Sequence, residues 1–72
     1  RAADVPDYAA LVDLFSNLPN TYRQVLEMKV LLGYTDKEIS ARLGITETAV
    51  STRASRGRQL LQDILDKEGF QL

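Results

Sequence analysis

The chain has 72 residues, of which 44% are apolar, and a formal net charge of −1. These values indicate one globular domain near the lower size limit for a self-sufficient core, and we expect residues 1–72 to form that single domain. Cysteine and histidine are absent, so disulfides, thiolate metal sites and the commonest general base are excluded. Because a glycine-rich phosphate loop and facing carboxylates are also missing, we expect no enzyme, no cofactor, no metal and no small-molecule substrate.

The ends and the charge pattern add three expectations. The sequence begins at Arg1 rather than methionine, which indicates a domain cut from a longer protein. No apolar run approaches the roughly 20 residues that span a bilayer, and the lack of cysteine fits a cytoplasmic protein. Positive charge is concentrated in the middle and later part of the chain, where Tyr34 to Gln62 contain five basic and three acidic residues, while both ends are acidic.

The first two predicted helices are separated by Leu18-Pro19-Asn20, because proline cannot continue a helix. The first helix is predicted from about Pro6 to Asn17, and Asn20 is the expected N-cap of the second, which ends before Gly33. The apolar face predicted for the first helix contains Tyr8, Leu11, Val12 and Phe15. The second helix is predicted to be central in the bundle, with apolar residues around much of its circumference: Val25, Leu26, Met28, Leu31 and Leu32.

The third and fourth helices have the clearest starts. Thr35 and Glu38 have the spacing of a capping box, and Gly44 is expected to end the third helix after about two turns. Thr46 is the expected cap of a long fourth helix that runs to about Lys67, with Gly69 ending it. Its predicted buried stripe consists of Val50, Ala54, Gly57, Leu61, Ile64 and Leu65. A glycine in the middle of a helix costs roughly 1 kcal/mol, so we expect a close neighbour at Gly57.

The stretch from Thr35 to Arg58 has the spacing of a helix-turn-helix. Apolar residues stand where its two helices must touch, namely Ile39, Leu43, Ile45 and Val50, and Ser40 is small where they cross. A helix placed in this way can enter the major groove with its N-terminal residues facing base edges. The sequence therefore predicts an all-α domain of four helices that contains a DNA-binding helix-turn-helix and a long C-terminal recognition helix.

Several short motifs are distributed over about Leu18 to Leu65. They are Leu18-Pro19, Arg23-Gln24-Val25-Leu26, Gly33-Tyr34-Thr35, Glu38-Ile39-Ser40, Leu43-Gly44-Ile45-Thr46, Val50, and Arg53, Arg56, Arg58 and Leu61. In this combination the chain resembles region 4 of bacterial sigma factors, most nearly the extracytoplasmic-function type. The resemblance implies sequence-specific binding to the duplex minus-35 element of promoters in transcription initiation, in the bacterial cytoplasm. It also implies docking on the β flap of the RNA polymerase core, and an anti-sigma factor as a further partner.

Site residues follow from the resemblance position by position. Those matched to base contacts are Ser51, Thr52, Ser55 and Arg56. Those matched to contacts with the DNA backbone are Lys37, Thr46, Thr48, Arg53 and Arg58. The chain departs from the family pattern at Ser51, where relatives often have a basic residue, and at Ser55, where they often have a large one. Both departures weaken base contact and leave the preferred DNA sequence open.

Two alternative functions remain at this stage. The helix-turn-helix is shared with DNA-binding domains of LuxR/NarL-type regulators. In the other alternative, the domain is a protein-docking module that binds polymerase or an anti-sigma partner with little DNA contact, which the near-neutral charge and the paired serines favour. Separately from both alternatives, the simpler interpretation of Arg53, Arg56 and Arg58 is a solvated helix face with a salt bridge to a neighbouring acid.

Overall fold

A computed structural model describes residues 8–67, and the side chains of residues 9–67. Within this range the chain forms α1 (Tyr8–Phe15), α2 (Asn20–Leu26), α3 (Asp36–Leu43) and α4 (Glu47–Lys67). A π-helical turn, Glu27–Leu31, continues directly from α2 and is called the π turn below. The prediction of an all-α fold with four helices and a long last helix is confirmed.

All four helices contribute to one core. Both α2 and α3 pack against α4, and α1 and α3 also contact the π turn. The buried side chains among the described residues are all apolar: Phe15, Leu18, Val25, Leu26, Ile39, Val50, Ala54, Leu61 and Leu65. Because α4 contributes four of them and contacts two other helices, it is the element around which the domain is built.

The last turn of the second helix differs from the prediction of a regular α-helix up to Gly33. The Leu32 N–H donates to the Glu27 carbonyl five residues back, at 3.1 Å, and the Tyr34 N–H donates to the Met28 carbonyl at 3.0 Å. Gly33 then ends the helix with a φ of +74°, as expected of a left-handed C-cap. The wider turn leaves Leu32 61% exposed, so its assignment to the apolar surface of a central helix is wrong.

The start of α2 also differs from the prediction. Pro19, rather than Asn20, occupies the N-cap position, and no side chain caps this end. The N–H groups of Tyr22 and Arg23 both donate to the Pro19 carbonyl, at 3.0 and 2.9 Å, so the helix begins one residue earlier than expected. The Asn20 side chain instead accepts a hydrogen bond from the Arg23 guanidinium.

The predicted face of α1 is only partly confirmed. Phe15 is buried and Leu11 is half-buried against the core, whereas Val12 is 44% exposed. The helix ends at Phe15 rather than Asn17, because the Asn17 N–H donates to the Leu14 carbonyl in a tighter turn. The predicted boundary positions Pro6 and Gly69, and the side chain of Tyr8, lie outside the described residues. None of the helices in residues 8–67 is long and apolar enough to span a membrane.

Candidate nucleic-acid interface

The first helix of the helix-turn-helix, α3, begins with the predicted capping box. The Glu38 N–H donates to the Thr35 hydroxyl at 3.1 Å, and the Thr35 N–H donates to the Glu38 carboxylate at 2.9 Å. These two bonds satisfy backbone donors that a helix N-terminus otherwise leaves without partners. The hydrogen bond from the Thr35 backbone is the main cause that lowers the pKa of Glu38, followed by the Thr35 side chain. The carboxylate is therefore a structural cap, as predicted.

The turn and the start of α4 are also built as expected. Gly44 ends α3 in the left-handed conformation, with a φ of +68°. Thr46 caps α4, since its hydroxyl accepts from the Ala49 N–H at 3.0 Å and its carbonyl accepts from the Val50 N–H. Ile45 is half-buried against the core, where it anchors the turn between the two helices. The position of α4 relative to α3 thus depends on local bonds at both sides of a three-residue break.

One face of α4 is buried, and the structure explains its central glycine. The predicted stripe is confirmed, with Ile64 half-buried and the other five residues buried. A Cβ atom on Gly57 would lie 2.8 Å from Leu26 Cδ1 and 3.1 Å from Tyr22 Cβ. α2 therefore packs closely against α4 at Gly57, and the close neighbour that the sequence predicted there is present.

The opposite side of α4 presents the predicted base-contacting residues to solvent. Ser51, Thr52, Ser55 and Arg56 are all exposed, and together they are called the recognition face. At about 100° per residue they cover an arc of about 140° on the side away from the core. Arg53 is half-buried beyond one edge of this arc, and Arg58 is exposed beyond the other. The two arginines therefore flank the recognition face on both sides.

The remaining predicted contacts are exposed residues near the starts of α3 and α4. Lys37 is exposed in the first turn of α3, and Thr48 is exposed in the first turn of α4. Thr46 is exposed as well; its hydroxyl oxygen accepts from the Ala49 N–H, and its O–H remains available to donate to a phosphate.

The basic residues fall into two groups by their partners. Arg23 is hydrogen-bonded to Asn20, Lys29 forms an ion pair with Asp36 at 2.8 Å, and Arg42 lies 4.3 Å from the centre of the Tyr34 ring. Within residues 8–67, Lys37, Arg53, Arg56, Arg58 and Lys67 have no acidic partner. The salt bridge expected under the simpler interpretation of the α4 arginines is therefore not formed in this part of the chain. The sequence predicted none of these three pairings; those of Lys29 and Arg42 join residues seven and eight positions apart and have no local signature.

Comparison with known proteins places the chain in a family. A family model described as "Sigma-70, region 4" matches residues 8–61, which are three quarters of the chain. The chain is 39% identical over 49 residues to a protein of Bacillus subtilis (strain 168) named RNA polymerase sigma factor SigZ. This match covers 68% of the chain but only 28% of that relative. No solved structure gives a significant match.

These findings distinguish between the two helix-turn-helix families that the sequence left open. The residues matched by the family model include α1 and α2 as well as the helix-turn-helix itself. They also include the turn of α4 that contains the three arginines. This is a family of DNA-binding domains that act in transcription initiation and have no catalytic role. The chain belongs to the sigma-70 region 4 family.

Proposed function

We propose that this domain recognises the minus-35 element of bacterial promoters as duplex DNA, with the N-terminal half of α4 in the major groove. The observation that supports this most strongly is the composition of that half of the helix. Its solvent side has small hydroxyl residues and an arginine, arginines stand on both flanks, and none of these arginines has an acidic partner within residues 8–67.

The dimensions of α4 fit this role. An α-helix with its side chains is roughly 10–12 Å in diameter. The major groove is about 12 Å wide, which admits one helix. The core contacts of Val50 and Ala54 hold the buried side of the same segment, so the recognition face is presented by a rigid support.

Each predicted residue has a chemical role in this arrangement. Arg56 can donate two parallel hydrogen bonds to a guanine, which gives it the largest share of base discrimination. Ser51, Thr52 and Ser55 allow a close approach of the helix and offer hydroxyl groups to base edges. Arg53, Arg58, Lys37, Thr46 and Thr48 contact phosphates and fix the register on the duplex.

The domain works with partners rather than alone. Its net charge of −1 and its few unpaired basic residues support only about three to five phosphate contacts. The slope of log K against log salt concentration is then roughly −3 to −4.5, and binding at physiological salt is weak. We propose that docking on the β flap of RNA polymerase, in the bacterial cytoplasm, supplies the missing affinity through a high local concentration. An anti-sigma factor would act by covering the same domain.

A backbone NMR titration of the 72-residue chain tests the DNA contact. A duplex selected from a random pool by this chain is added at low and at moderate salt. We expect shifts concentrated on residues 46–58 and on Lys37, and we expect them to fade as salt rises. Amides of this segment that stay unchanged in excess duplex would refute the proposed DNA interface.

Two substitutions then separate base contact from phosphate contact. Arg56→Ala should reduce discrimination between selected and scrambled duplexes about tenfold, equivalent to about 1.4 kcal/mol, within the 1–3 kcal/mol of a bidentate pair. Arg58→Ala should weaken binding to both duplexes equally and make the salt slope shallower by about 0.9. The matched control is Lys67→Ala, which removes an exposed charge from the far end of α4 and should leave both quantities unchanged.

A docking role without DNA contact, which the near-neutral charge favours, also has a structural observation in its favour. Val30 and Leu32, in and next to the π turn, are 47% and 61% exposed, which is the highest exposure among the large apolar side chains described. Titration with the isolated β flap tests this role. The docking alternative requires that Val30→Ser with Leu32→Ser abolishes flap binding and cellular activity, while Arg53→Ala with Arg56→Ala changes neither. Loss of activity in the arginine variant supports DNA recognition instead.

A further inference from the structure

We propose that Ser40 is a positioning residue for DNA recognition, because it fixes the turn that sets the orientation of α4. The Ser40 hydroxyl donates to the Ile45 carbonyl at 2.6 Å. The Ser40 carbonyl accepts from the Gly44 N–H at 2.9 Å and from the Ile45 N–H at 3.2 Å. This inference rests on the proposed function, since it assigns a role in presenting the recognition face.

The three bonds differ in how much they depend on the residue type. The two backbone bonds close the end of α3 around Gly44 and can form with any side chain at position 40. The bond from the hydroxyl cannot. The Ser40 hydroxyl is the only donor found for the Ile45 carbonyl within residues 8–67. Ser40 therefore bonds both the N–H and the carbonyl of Ile45.

The hydrogen bond from the Ser40 hydroxyl to Ile45 lies where it can influence the orientation of the recognition face. The Ile45 carbonyl belongs to the peptide bond that enters Thr46, whose hydroxyl caps α4. The recognition face begins at Ser51, little more than one helical turn after that cap. Core contacts of Val50 and Ala54 keep α4 on the domain, while the Ser40 bond restricts the tilt of its first turn.

The simpler interpretation is that position 40 requires only a small side chain where α3 and α4 cross. Ser40 is half-buried, which satisfies that requirement too. The two interpretations differ in one respect. Alanine at this position would meet a requirement for small size and remove the hydrogen bond, so Ser40→Ala separates size from bonding.

The test compares Ser40→Ala with Ser40→Thr, which retains the hydroxyl, and Ser40→Val, which has the shape of threonine without it. For the selected duplex we expect the Kd of Ser40→Ala and Ser40→Val to rise about five- to tenfold. We expect the Kd of Ser40→Thr to stay within about twofold of the Kd of the parent chain. For scrambled duplex, we expect the Kd of all three variants to change less than about twofold. In the free proteins, amide exchange at Ile45, Thr46 and Glu47 should accelerate only in the variants that lack the hydroxyl.

Equal Kd values and equal amide exchange in Ser40→Ala and the parent chain would overturn the proposal and leave Ser40 as a small residue at a helix crossing. Faster exchange with an unchanged Kd would also overturn it, because the turn would then have no influence on recognition. If the parent chain binds no duplex at any salt concentration, the proposed function fails and this proposal fails with it. Absence of binding by the parent chain can be told apart from equal, measurable Kd values of Ser40→Ala and the parent chain.

Discussion

The helix-turn-helix half of the domain, residues 35–58, and the preceding half, residues 8–34, reach their structures by different means. In the later half the helix boundaries have local signals, namely the Thr35–Glu38 capping box, Gly44 and the Thr46 cap. In the earlier half, α2 begins without a side-chain cap and ends in a π turn. The difference shows that the DNA-binding half is specified mainly by short-range chemistry, whereas its support is specified by packing.

The largest expected change in the free energy of unfolding is the contrast between two leucines, one on each side of the π turn. Leu26 is 1% exposed and Leu32 is 61% exposed, although the sequence counted both among the apolar residues around a central second helix. We expect Leu26→Ala to lower the free energy of unfolding by about 3 kcal/mol, because it leaves a cavity between α2 and α4. Leu32→Ala should change it by less than about 0.5 kcal/mol. Urea unfolding of both variants measures the contrast, and similar losses in the two would mean that the π turn is an ordinary α-helical turn in solution.

Much of this fold could be predicted from local signals. The capping box, the two left-handed glycines and the buried stripe of α4 each depend on residues within a few positions of one another, and each was confirmed. The π turn could not be predicted, because the same residues Glu27–Leu31 can make either α or π hydrogen bonds. The Lys29–Asp36 ion pair was missed because it joins two elements across the loop that contains Gly33.

For the candidate site, the sequence predicted which side chains of α4 are exposed, but not which basic residues have partners within the domain. Helical periodicity correctly placed Ser51, Thr52 and Ser55 on the solvent side of α4. Which basic residues are paired depends on the tertiary structure, since Arg42 stacks on Tyr34 only when the loop before α3 folds back. The DNA sequence that the domain prefers depends on contacts with an absent partner, so the base-contact and phosphate-contact assignments stay predictions.

Gly57 allows a test of the contact that joins the two halves. Alanine favours a helix over glycine by about 1 kcal/mol. At this position, however, its Cβ would overlap Leu26 Cδ1 and press on Tyr22 Cβ. We expect overpacking to outweigh the propensity, so that Gly57→Ala lowers the free energy of unfolding by about 1 to 2 kcal/mol.

The control for Gly57→Ala is Ser55→Ala on the exposed side of the same helix, which should be neutral or slightly stabilising. Thermal unfolding of both variants gives the comparison. Stabilisation by Gly57→Ala would show that α2 and α4 are separated by more than the structure indicates.

A pair of cap substitutions tests the contrast in helix starts. Thr46 bonds the Ala49 N–H, whereas Asn20 bonds only the Arg23 side chain on the surface of α2. Thr46→Ala should therefore lower the free energy of unfolding by about 1 kcal/mol. Asn20→Ala should lower it by only about 0.2 to 0.5 kcal/mol, as expected of a surface pair on a helix. Equal losses, measured by urea unfolding, would mean that Asn20 caps α2 after all.

The smallest expected effect is a pH dependence confined to the later half. Because the Thr35 backbone N–H lowers the pKa of Glu38, followed by the Thr35 side chain and Arg42, the ionised carboxylate favours the folded state. Its contribution is fully present above the unfolded-state pKa of about 4.3 and is lost as the pH falls through the lower folded-state pKa. Glu38→Gln keeps a cap acceptor but cannot ionise, so the difference in Tm between it and the parent chain should shrink between pH 6 and pH 3. An NMR titration checks the cause directly: in Thr35→Ala the pKa of Glu38 should rise yet stay below its usual value, since the backbone N–H remains. A full return to the usual value would assign the whole shift to the hydroxyl.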